Sequence, residues 1–326
     1  MNQIAPDNIE AWTELNYAYS TLGSLFLKQL KYTESYNAFT SSLAIIERTI
    51  AKQPQDPILR LDKSDTLSWL ATTEQALGHL SLALKLHQEA QQEIELGLQY
   101  EPNNAGSLEI LAYSHWHQTR LLNYLGKYDN AYNKAELATE TLKTILQQDS
   151  ENEDWKKALL KIEIFKIKIL IGKGSVDNEV SPTLVEQYTT DIFNETSIGL
   201  MNFAYLIEYY QSNKAWHKSS ELIDKTSRYL SNYSSINKMD AEYQLGLAEL
   251  TLLKAKQFAK NNQVELSSQA CEETIKLLSP LVKVSRNVEY LLPYARAHSC
   301  LNKLEFIPEE IAALLSMQVT NYDFTH

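Results

Sequence analysis

Residues 125–138 read LGKYDNAYNKAELA. A Gly and a Tyr open the stretch, and Ala131, Ala135 and Ala138 then recur at the spacing of one helix face. Such a stretch is either a single helical hairpin or one copy of something repeated. Sliding the chain against itself decides, because a shift of 48 residues brings the first half onto itself. Gly126 falls on Gly78, Ala131 on Ala83 and Ser35, and Ala138 on Ala90 and Ser42. Apolar positions keep step: Tyr32, Leu80 and Tyr128; Ile46, Ile94 and Leu142; Ile50, Leu98 and Leu146.

The boundaries share the period. Pro6, Pro54 and Pro102 recur with it, Ser150 replaces Pro in the fourth copy, and two residues later come Asn8, Asp56, Asn104 and Asn152. A short polar side chain there accepts the free N–H groups of a starting helix, so these four read as N-caps. Pro57 then takes the first helical position, where its missing N–H is no loss. Each unit is two antiparallel helices; in the third copy they span about 105–125 and 128–148 and turn at Gly126. One hairpin cannot cover its own apolar face, whereas stacked neighbours do. The expected class is all-α, an α-solenoid of antiparallel helix pairs.

The first copy, YSTLGSLFLKQLKYTESYNAFTSSLAIIERTIAKQPQD, places Tyr19, Leu22, Gly23, Phe26, Tyr32, Ser35, Phe39 and Ser42 on the spaced aromatic, Leu-Gly and small positions of tetratricopeptide repeats (TPRs). The third copy matches through Gly126, Tyr128, Ala131 and Ala138. The chain resembles that family, which implies a right-handed superhelix. It departs in length, since the family's usual unit is ~34 residues. Long repeats of this kind are similar to those attached to bacterial signalling proteins, such as kinases, NTPases and winged-helix regulators.

Composition agrees with helices. The apolar share is 44%, and only 9 Gly and 8 Pro punctuate 326 residues. The 41 acidic and 30 basic residues give a net charge of −11 without a run of like charges. Nucleic acid is excluded as an expected partner, because phosphate binding needs a basic face. No 18-residue apolar run occurs, and MNQIAPDNIEAW has neither a basic region nor an apolar core, so no membrane segment or signal peptide is expected within this chain. Cys271 and Cys300 lie inside helical apolar patterns and read as buried reduced thiols, which gives a cytoplasmic expectation. IAPDN at 4–8 corresponds to the tail that closes a second helix, yet no helix precedes it. The chain is therefore expected to be cut from a longer polypeptide, with an effector domain or a membrane anchor upstream.

The expected organisation is three regular repeats plus the first helix of a fourth over 1–172, a loop or junction at 173–182, and degenerate repeats with a C-terminal cap over 183–326. The stretch 172–182, GKGSVDNEVSP, holds two Gly and a Pro. Beyond it, QSNKAWHKSSELIDKTSRYL (211–230) aligns with KNNQVELSSQACEETIKLL (260–278) at a shift of 49, with Asn213 over Asn262 and Lys218 over Ser267. First helices are expected at about 196–211 and 239–260 and a last pair at 287–304 and 308–319, giving six or seven hairpins.

No catalytic, cofactor or metal constellation emerges. In His115-Trp116-His117 the two imidazoles point roughly 200° apart on a helix and cannot share a metal. His79 falls in a turn and His87 at a packing position. GKGS at 172–175 lacks the order and spacer of a phosphate loop and follows a helix rather than a strand. Glu151, Glu153 and Asp154 sit at a helix start, where negative charge suits the helix dipole.

What remains is surface. The family resemblance implies that the first helices line a concave groove for a peptide or helix. Carried over residue by residue, the groove positions are Tyr17, Ser20, Ser24 and Leu27, then Asp65, Ser68, Thr72 and Gln75, then Tyr113, Trp116, Arg120 and Asn123. The third row holds the residue types enriched at binding hot spots. Trp116 and Tyr113 equally suit packing against the next helix, whereas Arg120 has less packing reason to be there. Ser20, Ser24, Trp69, Tyr113 and His117 stand where the family's carboxylate clamp needs Lys, Arg and Asn, so that adaptor role is not expected. The first reading is a non-enzymatic interaction module for a protein or peptide partner. The second is a regulatory domain sensing a small molecule or signal peptide, which a deep enclosed pocket would favour. Self-association through a solenoid end is a third.

Overall fold

The computed structural model describes residues 8–194, 199–232 and 240–319. Pro6, the 4–7 part of the IAPDN tail, and the starts at 196 and 239 lie outside them.

Among the described residues every element is helical. The first three hairpins are α1 (Ile9–Lys28) with α2 (Tyr32–Lys52), α3 (Pro57–Ala76) with α4 (Leu80–Leu98), and α5 (Ala105–Tyr124) with α6 (Tyr128–Leu146). The fourth pairs α7 (Glu153–Lys173) with α8 (Val176–Glu179) and α9 (Pro182–Asn194). Then come α10 (Leu200–Ser212) with α11 (Trp216–Asn232), and α12 (Ala241–Lys260) with α13 (Val264–Val282). The last is α14 (Val288–Cys300) with a 3-10 turn (Leu304–Phe306) and α15 (Pro308–Ser316). The expected N-caps form: Asn8, Asp56, Asn104 and Asn152 accept the N–H groups of Ala11, Ile58, Ser107 and Trp155.

Among the described residues seven hairpins turn in the same way. One residue takes left-handed backbone, and the next helix or 3-10 turn starts two residues on, at Leu30, Gly78, Gly126, Gly174, Lys214, Asn262 and Asn302. The following N–H reaches back to the carbonyl five residues earlier, as in Lys31 to Phe26 at 2.9 Å, Ala215 to Tyr210 at 2.8 Å and Lys303 to His298 at 2.8 Å. This is a Schellman closure, which satisfies carbonyls left open at a helix end. Glycine fits it best because it has no Cβ penalty in that conformation.

These turn residues correct the alignment of the second half. Positions 30, 78, 126 and 174 are 48 apart, and so are 214 and 262, one residue less than the 49 expected. Asn213 resembled Asn262 in type, but Lys214 is the residue that takes the left-handed conformation. Ser219, not Lys218, therefore answers Ser267. The hydroxyl of Ser267 donates to the Ala255 carbonyl at 2.9 Å, as that of Ser35 does to Gly23 at 3.0 Å, each twelve residues back. From 174 to 214 and from 262 to 302 the interval is 40, because α10 and α14 have 13 residues where α1, α3, α5 and α12 have 20.

The 172–182 stretch is less of a loop than its composition implies. Gly174 is the fourth left-handed turn residue, α8 makes one helical turn after it, and α9 starts at Pro182. The break at 180–181 follows from that proline, which disfavours helical backbone before it. Ser181 then accepts the N–H of Leu184 at 3.1 Å.

The cysteines also correct the reading. Cys271 on α13 and Cys300 on α14 form a disulfide. Their sequence separation of 29 hid the fact that they lie on packed neighbouring helices with Cα atoms 6.4 Å apart, within bridging reach.

The chain divides into two compact units, Met1–Leu122 with Asn133–Glu151, and Asn123–Tyr132 with Asn152–His326. In the first, the small positions Ser35, Ser42, Ala83, Ala90 and Ala138 are fully buried where paired helices approach, and Phe39 fills the space over Gly23. In the second, α7, α10, α12 and α14 pack side by side in that order over a core including Ile164, Val185, Phe203, Leu206 and Ile207.

Candidate functional site

Counted back from each left-handed turn residue, the expected groove rows fall thirteen, ten, six and three positions upstream. In the first unit these positions are partly open. Tyr17 is 47% exposed and Tyr113 and the neighbouring Trp69 are each 37% exposed. The Tyr17 hydroxyl donates to Asp62 at 3.3 Å, which links the faces of α1 and α3. Burial pushes the Asp62 carboxyl up; the Tyr17 hydrogen bond lowers it, and Asp65 and Asp56 raise it further. Burial also raises Asp65, against a hydrogen bond from Trp69.

Other members of the rows are engaged internally. Ser20 shares a 2.7 Å hydrogen bond with Ser42, and the Thr72 hydroxyl donates to the Ser68 carbonyl at 3.0 Å. The Arg120 guanidinium lies 5.9 Å from the centre of the Trp116 ring, within cation–π range. The histidines of this unit are also placed. His117 stacks on buried His87 at 4.9 Å, and His115 faces Lys134 at 3.5 Å. Burial holds His87 well below the usual imidazole value, helped by His117 and Arg120. Burial and Lys134 lower His115 to about 4, and burial and Arg120 do the same for His117.

Asn123 belongs to the second unit, where it opens a site that the first three repeats did not reveal. It lines a cavity with Lys168, Glu208 and Arg296, each six positions before its own turn residue, the register of Arg120. Met201 and Glu249 come from the register of Tyr113, and Ala204 and Leu292 from that of Trp116. Phe165, Tyr205, Leu253 and Tyr124 complete the wall. Stacked α-hairpins with a common turn aim equivalent positions the same way, so first helices α7, α10, α12 and α14 converge on one spot.

The cavity has about 30 Å³ open to the centres of water-sized bodies, room for roughly two waters. Lys168 donates to both oxygens of Glu208, at 2.6 and 2.7 Å. Burial pushes the Glu208 carboxyl up, but Lys168, with Arg296 and Lys256 behind it, outweighs burial and holds it below its ordinary value. Glu249 goes the other way: burial raises it, Arg296 and Lys168 only partly offset that, and Glu208 adds repulsion. Among the described residues neither Glu249 nor Arg296 has an ion-pair partner within 4.0 Å. The Asn123 side chain is 3% exposed and its Oδ1 has no hydrogen-bond partner in the protein.

The 48-residue period leads from Arg120 to Lys168, whereas the 40-residue intervals hide Glu208 and Arg296 from it. The short polar turns SNKA (212–215) and LNKL (301–304) mark the two places, but the left-handed residue is Lys214 in one and Asn302 in the other, so the count back to Glu208 and Arg296 needs the backbone.

No protein-family model matches the chain, and no curated protein matches it. Among solved structures it is similar to a Podosopora anserina kinesin light chain protein with nearly identical TPR-like repeats: 16% identity, 71% of this chain and 100% of that one, TM-score 0.49. A single-substitution form of that protein matches 65% of this chain and 92% of its own at the same identity and TM-score. The structure of Naa15/Naa10 bound to HypK-THB is similar over 94% of this chain and 39% of that one, at 16% identity and TM-score 0.29. The helical hairpins, their shared Schellman turns and the 48-residue period make this chain an all-α array of helical hairpin repeats.

Proposed function

We propose that the chain is a non-enzymatic interaction module that takes a peptide, a helix or a neighbouring domain on the groove face of its first helices. The observation that carries this reading is the exposure of Tyr17, Trp69 and Tyr113 on those helices, since large aromatics left in solvent are hot-spot residues by type. Tyr113, Trp116 and Arg120 are the anchors, with Tyr17, Ser20, Asp65, Ser68 and Thr72 beside them, whereas buried Asn123, expected among them, falls to the cavity of the second unit. The regular repeats of 1–172 act as the docking array, 173–182 as a junction, and the remainder as the terminal cap. In this reading the array belongs to a larger bacterial signalling or regulatory protein. The cytoplasmic expectation does not carry over, because a disulfide such as Cys271–Cys300 persists in oxidising compartments.

The test is capture from native extract by wild type and by a Tyr113→Ala, Trp116→Ala, Arg120→Ala variant of unchanged helicity. A partner retained by wild type and lost by the variant supports the groove; equal retention sinks it.

A second reading, a regulatory domain that senses a ligand and acts on an attached effector, is favoured by the walled cavity of the second unit. There Arg296 and Glu249 are left without ion-pair partners.

A further inference from the structure

We infer that the cavity of the second unit is a binding site for a small zwitterion carrying an ammonium and a carboxylate, the chemistry of a free α-amino acid. The inference rests on the ligand-sensing reading and names what would be sensed.

The charges in the wall are of two kinds. Lys168 and Glu208 are already matched to each other. Arg296 and Glu249 are not matched, although each feels the other's field. A walled-in guanidinium with no carboxylate in reach is a fork waiting for a planar anion, and bidentate carboxylate is the group that fits it. A walled-in carboxylate with no cation in reach favours an ammonium donor. Asn123 also lines the cavity, and its Oδ1 is buried without a partner. Buried polar atoms are nearly always satisfied, so an orphan at a cavity wall points to something that fills the cavity.

Competing ligand classes fit worse. A phosphate or a dicarboxylate would satisfy Arg296 but place negative charge against Glu249 and Glu208. A diamine would satisfy Glu249 and leave Arg296 facing a cation. A neutral polyol leaves both charges uncompensated. A zwitterion answers donor and acceptors together, and Phe165, Tyr205, Met201, Leu253 and Leu292 offer an apolar surround for a side chain. The closed space takes about two waters, so the smallest α-amino acids are the expected ligands and binding has to widen the wall. A free amino acid carries both charges on one carbon, whereas either end of a peptide carries only one of them, so the two sources are separable.

The experiment is calorimetric titration of the whole chain with the common α-amino acids, their N-acetyl and carboxamide derivatives, short peptide amides, and a set of simple carboxylates and amines. At least one free amino acid is expected to bind. Blocking its amine or its carboxylate is expected to weaken binding at least about tenfold, equivalent to about 1.4 kcal/mol. Glu249→Gln and Arg296→Gln, checked for helicity, are each expected to do the same. Because the blocked derivatives are read on wild type, a misfolded variant leaves the test intact. Equal binding of the blocked forms overturns the inference. A peptide amide that binds as tightly as the free amino acid also overturns it, in favour of a chain end. A simple carboxylate that binds wild type and not Arg296→Gln, with no amino acid bound, sinks the zwitterion and leaves ligand sensing standing. If nothing in the set binds, both fall and the cavity holds solvent.

Discussion

Lys168 and Glu208 occupy the same register position in consecutive hairpins, and their charged groups meet at 2.6 Å. Repeats therefore do more than stack apolar faces here; one repeat's cation is the next repeat's counter-ion. Removing one partner leaves the other charge partly buried. Lys168→Met is expected to lower stability by about 2 kcal/mol, less than the ~3–5 kcal/mol of a fully buried pair, because the two side chains retain 16% and 22% of their exposure. Urea denaturation checks it, and the double variant Lys168→Met, Glu208→Gln should recover part of the loss. A loss under about 0.5 kcal/mol would mean the pair behaves as a surface bridge.

The close approach of α1 and α2 depends on Gly23. A Cβ there would stand 2.8 Å from the Phe39 ring, and Phe39 has no room to retreat, being fully buried and stacked on Trp69 at 6.1 Å. Gly23→Ala is expected to destabilise by about 1–3 kcal/mol. A neutral result by thermal melting would show that the hairpin can open at that point.

Leu30 and Lys214 hold the left-handed turn position without being glycine, at φ of 60° and 57°. Such residues carry strain of about 1–2 kcal/mol, partly offset by the extra unfolded-state freedom of glycine. Leu30→Gly and Lys214→Gly are each expected to raise stability by a few tenths to about 1 kcal/mol, read from denaturant midpoints. The opposite exchange, Gly126→Leu, should lower it.

Acid is expected to weaken the first unit through its histidines. His115 and His117 titrate at about 4 in the folded chain, below the ordinary 6.5, so the unfolded chain binds more protons in between. Their contribution is fully present above pH 6.5 and is lost as pH falls toward 4, on the order of a few kcal/mol in all. Melting temperature against pH should slope upward across that window, and His115→Asn should flatten the slope. A flat wild-type profile would contradict the burial argument.

Reduction is expected to cost the second unit roughly 3 kcal/mol, the scale for a loop of this length. Wild type melted with and without reductant should differ by several degrees, and Cys271→Ser should melt like the reduced protein. Two titratable thiols in protein purified without reductant would contradict the bridge between α13 and α14.

The regular half of the fold was legible because its signals are local. A cap such as Asn104 or a small residue such as Ala131 acts within its own hairpin, so type and spacing suffice. The disulfide and the cavity are not local. Cys271 and Cys300 meet through packing across separate hairpins, and Arg296 and Glu249 line one cavity from different register positions of α14 and α12, which the 40-residue intervals disguise. Asn123 stood on both sides of that divide: its row could be read, and its burial in a cavity could not.

The shortened α10 and α14 bear on how such an array can change length. Two turns are missing from these helices, yet the residues counted back from their turns still reach the cavity wall. The length difference therefore lies at the far end from the Schellman closure, where a helix begins. Trimming there leaves every downstream side chain facing as before, whereas a single-residue deletion near the turn would rotate the lining by about 100°. The turns act as fixed hinges of a folding rule, and the helix starts are the edges along which its segments can be cut.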